Sequence, residues 1–108
     1  MRRFEYPRLG ERVFRKKLDN GLEVVVVSKP SHAKRYAFVA TRYGGMDLRF
    51  RLDGRWQDTP AGIAHYLEHK MFDTQEGNAL QDLAANGASP NAFTSNAITG
   101  YYFECTEK

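Results

Sequence analysis

Thr59-Pro60-Ala61-Gly62-Ile63-Ala64-His65-Tyr66-Leu67-Glu68-His69-Lys70-Met71-Phe72 is the stretch on which the reading of this chain turns. Before it the sequence alternates as strands do. Within it, apolar residues recur at helical spacing, with Ile63, Tyr66, Leu67 and Met71 expected to anchor a helix on a sheet. Thr59 followed by Pro60 reads as an N-cap and a first helical position, since proline there presets φ without forfeiting an internal hydrogen bond. The pattern predicts a helix over about residues 60–72. Four residues make close to one turn, so His65 and His69 project the same way, with Glu68 within about 100° of arc. Two imidazoles able to meet one ion, with a carboxylate beside them, form the donor set of a hydrolytic zinc site. Zinc lowers the pKa of bound water from 15.7 to about 7, and a nearby carboxylate can complete the deprotonation and protonate a leaving amine. His65 and His69 are therefore candidate zinc ligands, and Glu68 is the candidate general base. The plain alternative is a helix carrying two solvated or core-edge histidines and a surface glutamate, because short motifs also arise by chance.

Toward the N-terminus, Val13 to Leu18 and Leu22 to Ser28 flank Asp19-Asn20-Gly21, where Asn-Gly supplies the positive φ angles of a tight hairpin turn. The run Val24-Val25-Val26-Val27 predicts a strand buried on both faces. A third strand is expected over residues 35–43, ending at Gly44-Gly45. Residues 46–58 read as a loop or hairpin excursion turned by Asp53-Gly54. Its arginines, Arg49, Arg51 and Arg55, fit a solvated face better than an acidic partner. Residues 1–17 hold seven basic residues against two acidic ones. With neither a nucleic-acid motif nor the serine-rich composition of a transit peptide, residues 1–11 are expected to form a flexible arm.

Toward the C-terminus, a second helix is expected over residues 75–86. Asp73 and Glu76 resemble a capping box, Leu80, Leu83 and Ala84 form a stripe, and Gly87 serves as the stop. Strands follow over 91–95 and 100–106. The expected fold class is α+β, with helices packed on a mainly antiparallel sheet. The chain ends at Lys108 while still in strand-like sequence, as a fragment would.

At 108 residues the chain is one domain at most, and its 42% hydrophobic and 27% charged content is ordinary for a soluble domain. No apolar run approaches the roughly 20 residues of a membrane span, and no secretory signal is visible. The single cysteine, Cys105, excludes an internal disulfide framework and fits a reducing, cytoplasmic setting. His32, after Pro30-Ser31, is assigned no role.

The segment from Gly62 to Phe72 resembles the active-site helix of the pitrilysin/insulinase family of inverted-motif zinc peptidases. A second match lies at Gly87-Ala88-Ser89-Pro90-Asn91-Ala92-Phe93-Thr94-Ser95 with Tyr101-Tyr102-Phe103 following, and Leu18-Asp19-Asn20-Gly21-Leu22-Glu23-Val24 is similar to the family's first hairpin. The likeness runs over about residues 12–107 and is nearest to bacterial insulinase-like members. It implies a metalloendopeptidase in which His65 and His69 bind Zn2+ and Glu68 is the catalytic base. It also implies that Asn91, Ala92 and Phe93 lie on an edge strand beside which a peptide or small-protein substrate adds, as an unpaired edge allows; for Phe93, ordinary packing is equally open. The family's third ligand, a glutamate, would fall beyond Lys108. Residues 1–108 are thus expected to be the N-terminal part of such a domain, inactive alone and dependent on the remainder of the peptidase or a partner subunit.

Two other readings stand beside this one. A non-catalytic relative could keep a peptide-binding sheet without hydrolysis, although such relatives usually lose the motif that is intact here. An iron-dependent lyase with a similar helix would use a cysteine as third ligand, which singles out Cys105; a small buried apolar role is the simpler account of that residue.

Overall fold

The computed structural model describes residues 1–75 and 77–106. They fall into two compact units, Met1–Ala33 and the residues from Lys34 onward. Every ladder among the described residues is antiparallel, so the chain is mostly antiparallel sheet.

The first unit is a three-stranded sheet in the order β1-β2-β3, with β1 Arg2–Tyr6, β2 Glu11–Lys17 and β3 Glu23–Ser28. The flexible arm expected over residues 1–11 is instead largely β1 and its turn. Phe4 and Tyr6 alternate with Arg3 and Glu5, and Phe4 pairs with Val13. Tyr6 and Pro7 carbonyls accept from Leu9 and Gly10, and Gly10 takes a left-handed φ of 64°. After Arg2, the charges Arg3 and Glu5 occupied one phase of an alternation whose other phase was aromatic. At the β2–β3 connection, Gly21 is left-handed at φ 87° but Asn20 is not. Gly21 N–H donates to Leu18 O at 2.9 Å, and Asn20 Oδ1 accepts from Leu22 N–H at 3.1 Å. The turn is therefore longer than the two-residue Asn-Gly form. Nor is β3 buried on both faces: Val25, Val26 and Val27 are 50%, 49% and 46% exposed. β3 is an edge strand, and its unit supplies no second layer to cover it.

The second unit is centred on a sheet in the order β4-β10-β9, with β4 Arg35–Thr41, β9 Ala88–Thr94 and β10 Thr99–Cys105. Between β4 and the first helix, β5 Arg49–Leu52 and β6 Arg55–Asp58 form the anticipated hairpin. Asp53 and Gly54 both adopt positive φ, 49° and 77°, the geometry that matches strand twist in a two-residue turn.

Helix α1 spans Ile63–Phe72, starting later than the Thr59-Pro60 signal predicts. Its N-cap is Gly62 at φ 92°, with no side-chain cap. Thr59 closes the hairpin instead, donating to Leu48 O from its backbone N–H at 2.8 Å and from Oγ1 at 3.2 Å. Of the anticipated anchors, Ile63 is half-buried as expected, but Tyr66, Leu67 and Met71 are turned outward, 57%, 45% and 67% exposed. Besides Ile63, the better-covered positions are Ala64, Glu68 and Phe72, four residues apart. They lie one above another on a single stripe.

Two short strands, β7 Asp73–Thr74 and β8 Gly77–Asn78, precede helix α2, Ala79–Ala85. The expected capping box involves Glu76, which lies outside the described residues. The N-cap observed is Asn78, whose Oδ1 accepts from Leu80 N–H at 2.8 Å. Gly87, left-handed at φ 82°, donates to Ala84 O and ends the helix as anticipated.

Candidate metal centre

Because α1 is regular through residues 65–69, its two histidines meet. His65 Nε2 and His69 Nε2 are 3.0 Å apart, and both residues are exposed. Two nitrogens bound at 2.0–2.1 Å to one tetrahedral zinc would lie roughly 3.3 Å apart. The pair therefore fits the first two positions of such a site with almost no adjustment.

Glu68 behaves differently from its neighbours. It turns inward, and its Oε2 accepts a 2.7 Å hydrogen bond from Thr94 Oγ1 at the end of β9. On the same strand pair, Tyr101 of β10 stands opposite Ala92 and contacts Phe72 edge-on, with ring centroids 5.6 Å apart. Burial raises the Tyr101 phenol above the ordinary tyrosine value, and the negative charge of Glu68 raises it further. Glu68 therefore has a hydroxyl donor at one oxygen and a neutral phenol within reach of its field.

Asn91, Ala92 and Phe93 lie on β9, which forms one edge of its sheet. Asn91 Oδ1 accepts the Ala92 N–H at 2.8 Å. Phe93 belongs to the strand phase opposite Thr94 and stacks on Phe38 of β4, with centroids 6.2 Å apart and planes at 14°. The ring lies across Gly100: a Cβ there would sit 2.5 Å from Phe93 Cε1. Tyr36, Phe38, Tyr102 and Phe93 form one continuous aromatic group. Thus Thr94, rather than Phe93, reaches the Glu68 carboxylate.

Cys105 pairs with Ala88 at the other end of the β9–β10 ladder, six residues along from the Thr94–Thr99 pair. Six residues of strand span about 20 Å, so the ligand role that an iron lyase would give this cysteine is not met. Among the described residues, no group of three or more His, Cys, Asp or Glu side chains is placed to hold a metal.

The family description that matches is the insulinase family, peptidase family M16, over residues 54–108. The chain belongs to the insulinase family of peptidases. It is 44% identical over 104 residues to the uncharacterized zinc protease YmfH of Bacillus subtilis, covering 94% of this chain and 24% of that protein. It is 32% identical over 98 residues to the insulin-degrading enzyme of Bos taurus, covering 84% of this chain and 9% of that protein. Among solved structures, an M16-like peptidase from Alicyclobacillus acidocaldarius superimposes with a TM-score of 0.86 at 42% identity, over 97% of this chain and 24% of that one. The chain spans about a quarter of the length of the first of these relatives and of the solved structure.

In this insulinase-family chain, two residues of the centre were not singled out from sequence, Thr94 and Tyr101. Strand alternation holds the missed signal: Thr94 and Ala92 share the phase opposite Asn91 and Phe93. A hydroxyl on that phase was the one side chain there able to meet a helical carboxylate.

Proposed function

We propose that this chain supplies the metal-binding helix and the general base of a zinc-dependent metalloendopeptidase. The observation that carries the reading is the 3.0 Å approach of His65 Nε2 to His69 Nε2, with Glu68 one residue from the second histidine. His65 and His69 would hold the ion through these nitrogens. When bound, zinc supplies Lewis acidity, polarising a carbonyl and bringing the pKa of water near neutrality. Glu68 has Oε2 engaged by Thr94, so Oε1 is the oxygen that takes a proton from the attacking water and later gives it to the leaving amine.

The same reading takes a peptide or small protein as substrate, extended beside the β9 edge at Asn91, Ala92 and Phe93. Phe93 then acts through the aromatic group it joins, shaping the edge from the phase opposite Glu68. Contacts of Glu68 and Phe72 with Thr94 and Tyr101 support a layer of helices on the sheet. The third ligand comes from outside residues 1–108, in the remainder of the peptidase or a partner subunit. Residues 1–108 are on this view the first part of the domain, working in the bacterial cytoplasm. No helix among the described residues is long and apolar enough to cross a membrane.

The test is Glu68→Gln in the complete polypeptide that carries this chain, assayed with a quenched peptide and by metal analysis. Cleavage that is EDTA-sensitive in the parent and abolished in the variant, at unchanged zinc content, is the expected result. Full cleavage by the variant would overturn the assignment of the base. Robust EDTA-sensitive cleavage by pure residues 1–108 would overturn the external third ligand.

A further inference from the structure

We infer that Thr94 is a positioning residue for the general base, setting which carboxylate oxygen of Glu68 faces the reacting water. The inference rests on the assignment of Glu68 as that base. Its own evidence is the 2.7 Å hydrogen bond from Thr94 Oγ1 to Glu68 Oε2, which joins β9 to α1 across 26 residues of sequence.

A glutamate has three side-chain torsions, and an exposed one samples many carboxylate orientations. Glu68 is half-buried, and one of its oxygens is tied to a donor whose own position is fixed. Threonine is β-branched, which restricts χ1 and so directs its hydroxyl. The Thr94 backbone pairs with Thr99. Just beyond, Ser95 N–H donates to Ile98 O at 2.9 Å, closing the β9–β10 turn. Thr99 is buried, and its Oγ1 donates to Tyr43 O at 2.7 Å, anchoring that end of the ladder. The donor is thus held by backbone pairing, a closed turn and a buried threonine, and a hydrogen bond to an ionised acceptor is about twice as strong as a neutral one. With Oε2 committed, Oε1 is presented in one orientation.

A purely structural role would make Thr94 a pin between α1 and β9. The two roles differ in what they move. A pin affects folding, metal retention and substrate binding together. A positioning contact affects turnover while leaving zinc content and KM in place.

The experiment uses the zinc-loaded complete polypeptide carrying this chain, with Thr94→Val, Thr94→Ser and Glu68→Gln. Valine keeps the branched shape and removes the hydroxyl, whereas serine restores it. Thr94→Val is expected to lower kcat by roughly 10–100-fold, the range typical for loss of a supporting hydrogen bond, with KM within about threefold and zinc content unchanged. Thr94→Ser should recover most of that loss. Thr94→Val with parental kcat, or serine and valine variants equally impaired, would overturn the inference. So would a loss confined to KM or to zinc content. If Thr94→Val fails to fold, Thr94→Ala is measured in its place against the same serine rescue. An active Glu68→Gln variant would signal that the base assignment has failed. An inactive Glu68→Gln beside a fully active Thr94→Val would mean that the Thr94 inference alone has failed.

Discussion

His69 Nε2 stands 3.0 Å from His65 Nε2, one helical turn away, with both rings open to solvent. Neither imidazole depends on a distant element for its placement, so their contribution to metal binding should be local and shared. His65→Ala and His69→Ala are each expected to weaken zinc binding by more than the roughly 10–100-fold that follows loss of a supporting hydrogen bond. Competition against a chromophoric chelator measures this. Two variants that differ widely from each other would show that one histidine is not a ligand.

Gly44 leaves no room for a side chain. A Cβ there would sit 2.5 Å from Asn96 C and O and from Ser95 O, all of them main-chain atoms. The backbone cannot rotate away as a side chain could, particularly since Gly45 N–H and Met46 N–H already donate to Ser95 O and Asn96 O. Gly44→Ala should destabilise the fold by about 1–3 kcal/mol, the range for overpacking. A lowered urea midpoint at constant m-value would show it. An unchanged midpoint would mean that the approach is looser than these distances.

Asn78 caps a helix of only seven residues, α2, by accepting from Leu80 N–H at 2.8 Å. A helix this short has little propagation to offset its nucleation cost, so its cap matters more than usual. Asn78→Ala should cost about 1 kcal/mol. Amide exchange over residues 79–85 should accelerate, while the β9–β10 ladder keeps its protection. Uniform acceleration of both would show that α2 does not open independently.

Tyr101 provides a test in alkali. Its phenol is held above the ordinary tyrosine value, first by burial and second by Glu68. The folded state favours the neutral phenol. Its contribution is therefore fully present below about pH 10 and is lost as pH rises past that value through the folded-state pKa. Tyrosinate absorbance, compared with that of Tyr101→Phe, should place Tyr101 later than exposed tyrosines. Glu68→Gln should move it only part of the way back, because burial remains. Titration together with the exposed tyrosines would contradict the arrangement.

Sequence alone reveals the parts of this chain whose causes are local. The histidine pair is legible because i and i+4 meet in any α-helix, whatever lies around it. Asp53-Gly54 and Gly87 are legible because turn chemistry is set by φ at single residues. The start of α1 was not, since Thr59 has the same local signature whether it caps a helix or holds the Leu48 carbonyl of a hairpin. The stripe of Ala64, Glu68 and Phe72 was hidden for a different reason. Hydropathy periodicity sorts glutamate outward, and a hydroxyl 26 residues away helps make the inward position tolerable.

The valines of β3 carry a consequence for handling this polypeptide. Val25, Val26 and Val27 stand half exposed along a strand at the margin of its sheet. Such a margin offers unpaired amides and carbonyls to any passing chain, and a β-branched run of low charge is the composition that stacks. Concentration should therefore enter the folding of residues 1–108 as a competing reactant, with dilute chains closing on themselves and crowded ones recruiting each other along β3, an outcome that light scattering across a dilution series would check. A lysine at Val26 would set a charge on that margin and shift the competition back toward the monomer.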